Sequence, residues 1–180
     1  MSGSGKTTVG QALARLGKYD FVDNDEIIER DLAGKTIETI FKNSGESEFR
    51  RFEKMALTRL FEMASDNEIN QFDQKLVVAT GGGMPLFEDN FARLKELGTI
   101  VYLKCNAEIL ASRLIDQFEK EKKERPLLNL ASGVVDRDGL IKKLLELIEN
   151  RAKTYEKAQY CIDTTDLTSS EVVERLKAFL

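Results

Sequence analysis

The sequence predicts a three-layer α/β/α domain built on a parallel sheet, and three observations carry that prediction. Short apolar strands near residues 19–23, 76–79, 99–103 and 160–162 alternate with stretches of helical periodicity, the pattern of parallel strands joined by helical crossovers. A Gly/Ser-rich loop, Ser2-Gly3-Ser4-Gly5-Lys6-Thr7-Thr8, runs directly into the first helical stretch. One buried strand ends in Thr80-Gly81-Gly82-Gly83, at the carboxyl edge where open α/β sheets hold their ligands.

The first helix is marked by Val9, Leu13 and Leu16 at helical spacing, with Gly17 as its expected stop. Glycines before a helix let successive N–H groups and the helix N-terminus point at one anion. In such a loop Lys6 reaches the β- and γ-phosphates of a nucleotide and the Thr7 hydroxyl ligates Mg²⁺. The alternative, a flexible Gly/Ser tail, rarely leads straight into an amphipathic helix. The full motif places a further glycine five residues before Gly5, after a hydrophobic strand. That position falls just before Met1, so the expectation is a chain lacking its first, central strand, with two bare inner strand edges.

Tyr19 to Asp23 reads as a strand, and Asn24-Asp25 as a helix start. Asp25 is either a ligand group at a strand end or a plain helix cap. Thr36 caps a short helix through Ile37, Ile40 and Phe41. After Ser44-Gly45 a long helix follows from about Glu46 to Ala64, with Phe49, Phe52, Ala56, Leu60 and Met63 on its apolar face. Arg50 and Glu53, three apart, can pair on that helix. By itself such a pair is a solvated contact worth under ~1 kcal/mol.

Residues 66–75 read as a polar loop before the strand Leu76–Ala79. A tight turn needs one glycine, so the three that follow imply close approach of backbone to a ligand. Next come a helix over 89–97, a strand over 99–103 and a helix capped by Asn106 that ends near Ile115. The charged run from Asp116, through Arg125-Pro126, lacks a clear core pattern to about Val134 and is read as a mobile lid. Leu140, Leu144, Leu147 and Ile148 mark a helix reaching Arg151 and Tyr155. Tyr160–Ile162 is the last strand, and Thr168-Ser169-Ser170-Glu171 is a capping box for the final helix.

Composition narrows the chemistry. At 180 residues and 42% apolar, the chain is read as one domain, 1–180, with a substantial core. It has no histidine, which removes Ser-His-Asp and Cys-His nucleophile systems and His-based zinc sites. Carboxylates, lysines and arginines must carry any reaction, which suits phosphoryl transfer. A net charge of −4 argues against a nucleic-acid partner. No run approaches the ~18 apolar residues of a membrane span, and no export signal is visible, so no membrane partner and a cytoplasmic location are expected. Cys105 and Cys161 lie beside apolar runs and are expected to be buried, reduced thiols.

Together these stretches resemble the shikimate kinase family, small P-loop kinases of aromatic amino-acid synthesis. The resemblance runs nearly end to end and rests on Gly3–Thr8, Val22–Asp25, Phe49–Glu53, Thr80–Gly83, Arg125–Leu127 and Glu149–Ala152. It implies ATP-dependent phosphorylation of the 3-hydroxyl of shikimate by a monomer, with Mg²⁺, on a sheet of order 2-3-1-4-5. Gly3, Ser4, Gly5, Lys6, Thr7 and Thr8 would hold ATP, with Arg113 and Arg125 nearby. Thr7 and Asp23 would serve the metal, and Lys6, Asp25 and Arg125 would be catalytic. Asp25, Phe41, Phe49, Arg50, Glu53, Gly81, Gly82, Gly83 and Arg151 would bind shikimate, within substrate-binding helices at about 24–64 and under a lid at about 116–134. Lys153 stands where the family often has a proline, and the loop after Asp163 lacks another. The competing expectations are a gluconate- or nucleotide-type P-loop kinase and a non-catalytic nucleotide-binding remnant.

Overall fold

The computed structural model describes residues 1–31, 36–65, 75–121 and 135–179. Helix α1 (Lys6–Gly17) leads to strand β1 (Asp20–Asp23), α2 (Asn24–Asp31) and α3 (Ile37–Ser65). Then come β2 (Leu76–Ala79), a 3₁₀ turn (Met84–Leu86), α4 (Asn90–Leu97) and β3 (Val101–Lys104). The order closes with α5 (Ala107–Glu121), α6 (Arg137–Tyr155), β4 (Tyr160–Asp163) and α7 (Ser169–Lys177).

Among the described residues all strand pairing is parallel. β1 lies beside β2, from Asp20 opposite Leu76 to Asp23 opposite Ala79, and β3 beside β4, from Val101 opposite Tyr160 to Lys104 opposite Asp163. Numbered in the expected five-strand order, these pairs are strands 2-3 and 4-5. Among the described residues no strand joins β2 to β3.

The period-two alternation of the strands makes the layers. Val77, Val101, Leu103 and Ile162 face one side, where Val9 and Leu13 of α1 and Val172, Val173 and Leu176 of α7 cover them. Val22 and Val78 face the other, against Ile27, Ile28, Leu57, Leu60 and Leu94 of α2, α3 and α4. Tyr102 also turns away from α1, toward Leu110, Leu114, Leu140 and Leu144 of α5 and α6. Each fully buried leucine among these removes enough apolar surface to contribute about 1.5–3 kcal/mol.

Several local expectations are corrected. α1 ends at Gly17, as expected, but the left-handed residue that closes it is Lys18 (φ 54). Gly17 instead makes room for the Tyr19 ring, which a side chain would overlap. Leu16, in the last turn of α1, is exposed rather than part of the buried face. The kink in α3 falls at Gly45 (φ 76, ψ −177), where the sequence broke its pattern. α5 runs past Ile115 to Glu121 because Phe118 continues the buried row of Leu110 and Leu114. Residues 116–121 of the expected lid are therefore helical, and 122–134, with Arg125, lie outside the described residues. Cys105 is buried but Cys161 is exposed, because on β4 it alternates with the core residue Ile162. Asn106 and the Thr168–Glu171 box cap their helices as read.

Candidate active site

The phosphate loop is shaped by two left-handed glycines, Gly3 (φ 77) and Gly5 (φ 88), a conformation L side chains rarely adopt. A Cβ on Gly3 would also come within 3.0 Å of Leu114 and 3.3 Å of the Leu110 carbonyl, so the loop is seated on α5. Ser4 Oγ and Lys6 Nζ both donate to the Met1 carbonyl, at 2.9 and 2.6 Å. The ammonium thus lies folded over the loop, next to the start of α1.

Asp23 joins that loop to the neighbouring strand. Its Oδ2 accepts from the Thr7 hydroxyl at 2.7 Å, and its Oδ1 accepts from the Asp25 amide at 3.0 Å. Asp23, not Asp25, therefore caps α2, which frees the Asp25 carboxylate from that role. A hydroxyl and a carboxylate side by side suit a hard divalent cation that keeps most of its ligands as water and phosphate oxygens.

The glycine run explains itself through what approaches it. A Cβ on Gly81 would lie 3.0 Å from Glu53 Oε1 and 3.2 Å from Asp25 Oδ1. On Gly82 it would meet Arg151 Nη1 at 3.3 Å, and on Gly83 it would overlap the Arg50 guanidinium. Each glycine thus admits a different functional side chain. Four carboxylate or guanidinium arms, from the three helices α2, α3 and α6, converge on one stretch of bare backbone.

Arg50 is the best-anchored of them. Nη1 pairs with Glu53 Oε2 at 2.5 Å and Nη2 with Glu46 Oε1 at 2.6 Å, while its carbon sits 5.4 Å from the Phe49 ring centre. Phe49 in turn packs on Phe41, with centroids 4.8 Å apart. Glu53 is 1% exposed, and its Oε1 is buried without a hydrogen-bond partner. Burial pushes its carboxyl above the ordinary range, against the opposing pull of Arg50. Burial works against the Arg50 charge, and the Glu53 and Glu46 contacts outweigh it, raising its pKa.

A cavity of about 800 Å³ opens over the phosphate loop and is walled by Asp23, Asp25, Gly81, Gly82 and Arg113. Arg113 is held by the Thr164 carbonyl at 3.1 Å and by Cys105 Sγ at 3.7 Å. So Gly3–Thr8, Asp23, Asp25, Gly81, Gly82 and Arg113 share one cleft. Arg50, Glu53, Gly83 and Arg151 adjoin it at the glycine run rather than walling it, and Phe49 and Phe41 pack in turn behind Arg50. Arg125 lies outside the described residues. The sequence reading missed Glu46 and Tyr155, which touch Arg50 and Arg151 respectively. Both stand four residues from their arginine, a spacing that signals side-chain contact on a helix.

A glycine-bent anion loop at a helix start, opening at the carboxyl ends of parallel strands, defines an α/β/α protein of the P-loop class. The family model described as shikimate kinase matches residues 2–180. The chain belongs to the shikimate kinase family. It is 36% identical over 174 residues to a shikimate kinase of Thermodesulfovibrio yellowstonii, covering 97% of this chain and 87% of that protein. A shikimate kinase of Prosthecochloris aestuarii is 38% identical over 176 residues, covering 97% and 81%. Among solved structures, shikimate kinase from Acinetobacter baumannii in complex with shikimate superposes with a TM-score of 0.79 at 33% identity, covering 99% of this chain and 87% of that one. A gluconokinase from Sinorhizobium meliloti, at 20% identity and a TM-score of 0.52, shares the fold.

Proposed function

We propose that the chain transfers the γ-phosphoryl group of ATP to the 3-hydroxyl of shikimate, giving shikimate 3-phosphate and ADP. The observation that carries this reading is the convergence of Asp25, Glu53, Arg50 and Arg151 on the Gly81–Gly83 backbone, beside a phosphate loop. A small acceptor bearing both hydroxyls and a carboxylate suits that mixture of groups, since a guanidinium fork matches a carboxylate. Membership of the shikimate kinase family supports the same substrate.

Each residue's task follows from its chemistry. Gly3, Ser4, Gly5 and Thr8 line the loop for the phosphates, and Lys6 trades the Met1 carbonyl for phosphate oxygen. Thr7 would hold Mg²⁺ directly and Asp23 through its water shell; ATP supplies the phosphoryl group, and the metal offsets the charge on it. Asp25 orients the acceptor hydroxyl and takes its proton as the oxygen–phosphorus bond forms. Arg50 and Arg151 hold the carboxylate, Glu53 orients Arg50, and Phe41 and Phe49 back the apolar side of the ring. Arg113 borders the nucleotide. Family resemblance assigns Arg125 to the transferring phosphate, and the stretch that follows α5 to a lid that excludes water. Within the single domain, the helices at about 24–64 supply the acceptor side. The reading carries with it a cytoplasmic monomer acting on dissolved small molecules, consistent with the net charge of −4.

A coupled assay of ADP release tests it, with shikimate, gluconate and AMP as acceptors. Release that depends on shikimate alone is the expected result. Equal release with gluconate or AMP, or with no acceptor, overturns the reading. ATP-dependent thermal stabilisation without any turnover would indicate a nucleotide-binding protein instead.

A further inference from the structure

Tyr155 closes α6 one turn beyond Arg151 and is 7% exposed. Its hydroxyl donates to the Gly82 carbonyl and accepts from Arg151 Nη1 at 3.5 Å. The ring rests against Tyr102 of β3, with centroids 5.0 Å apart and planes tilted by 47°, so the phenol is braced from behind. Gly82 and Arg151 are already neighbours: a Cβ on Gly82 would stand 3.3 Å from the guanidinium and 3.6 Å from the phenol oxygen. A phenol can donate once and still accept, so a single group serves both partners. Phenylalanine would fill the same space and keep the ring contact, and could do neither. Burial holds the phenol pKa above its ordinary value, against the opposing pull of Arg151.

We propose that Tyr155 is a positioning residue for substrate capture: its hydroxyl ties the middle of the glycine run to Arg151, fixing the backbone seat and the carboxylate anchor in one geometry. This rests on the assignment of Arg151 to the substrate carboxylate. A side chain that only filled the core would affect melting temperature and leave substrate affinities unmoved. A positioning tie loosens one substrate and spares the other.

The test is steady-state kinetics and melting of the full chain as wild type, Tyr155→Phe, Arg151→Ala and the double variant. Tyr155→Phe is expected to raise the shikimate KM about 5- to 10-fold, with kcat changed less than about twofold and the ATP KM unmoved. In the Arg151→Ala background the same change should add less than about twofold, because the partner it steers is gone. An unmoved shikimate KM in Tyr155→Phe overturns the proposal, as does an equal factor in both backgrounds or a parallel rise in both KM values. If Arg151→Ala leaves the shikimate KM unchanged, the anchor assignment falls and the proposal falls with it. A raised KM in Arg151→Ala beside an unmoved Tyr155→Phe removes the proposal alone. Phenylalanine keeps the ring, so melting within a few degrees of wild type is the expected control.

Discussion

Replacing Arg50 by alanine should produce two losses that can be measured apart. The first is in binding. Removing charge-assisted hydrogen bonds to a carboxylate costs about 1.5–3 kcal/mol, or roughly a 10- to 100-fold rise in the shikimate KM. The ATP KM should hold, since Arg50 lies across the glycine run from the phosphate loop. The second loss is in folding. Glu53 is 1% exposed and ion-paired to Arg50, and orphaning a buried carboxylate costs about 3–5 kcal/mol. The contact with Glu46, whose side chain is 53% exposed, adds little to that. Changing Glu53 to glutamine in the same chain should restore most of the stability and none of the shikimate affinity. The difference in stability between Arg50→Ala and Arg50→Ala/Glu53→Gln should also depend on pH. Glu53 has a folded-state pKa raised by burial, so the folded protein holds its proton at a pH where the unfolded chain has released it. Its stabilising balance is therefore complete below the ordinary carboxylate range and is lost as pH rises through the raised value. The two variants should converge in acid and separate toward neutrality. Kinetics with varied shikimate and varied ATP, with melting curves across pH, measure all of this. Equal rises in both KM values, or a double variant that recovers shikimate affinity, would refute the reasoning.

Three further outcomes are expected. Asp25→Asn should lower kcat by about 10²–10⁴, the range of a lost proton acceptor, while the melting temperature stays near wild type, since Asp23 and not Asp25 caps α2. Near-normal turnover would remove Asp25 from the reaction. Thr7→Ala should raise the Mg²⁺ concentration needed for half-maximal rate, because the hydroxyl that donates to Asp23 at the loop is lost; an unchanged Mg²⁺ titration would place the metal elsewhere. Leu144→Ala, at a fully buried α6 position, should cost about 2–5 kcal/mol in denaturant unfolding with unchanged KM values for the surviving folded fraction.

How far the sequence could be read depended on whether a feature was local. The Thr168–Glu171 box and the Asn106 cap involve residues three apart, and both were legible from spacing alone. The break at Gly45 was legible for the same reason. Phe118 shows the limit: surrounded by charge, it looked like part of a solvated run, yet it continues the buried face of α5. Hydrophobic periodicity there is carried by one residue per turn, too sparse to outweigh its neighbours.

The candidate site divides along the same line. The phosphate loop is contiguous, so its backbone task could be inferred from its own glycines. The Gly81–Gly83 run declared that something comes close, but not what, because the approaching groups arrive from three helices, each well removed in the chain from the run itself. Arg50 and Glu53 illustrate the cost of judging by spacing. As an isolated pair they rate as a surface contact, and only the placement of α3 against the glycine run turns them into a buried, strongly coupled unit. What spacing could not supply was burial. Burial is what makes an arginine–glutamate pair rigid enough to present a fixed fork, and it is set by which helix the bare backbone lets in.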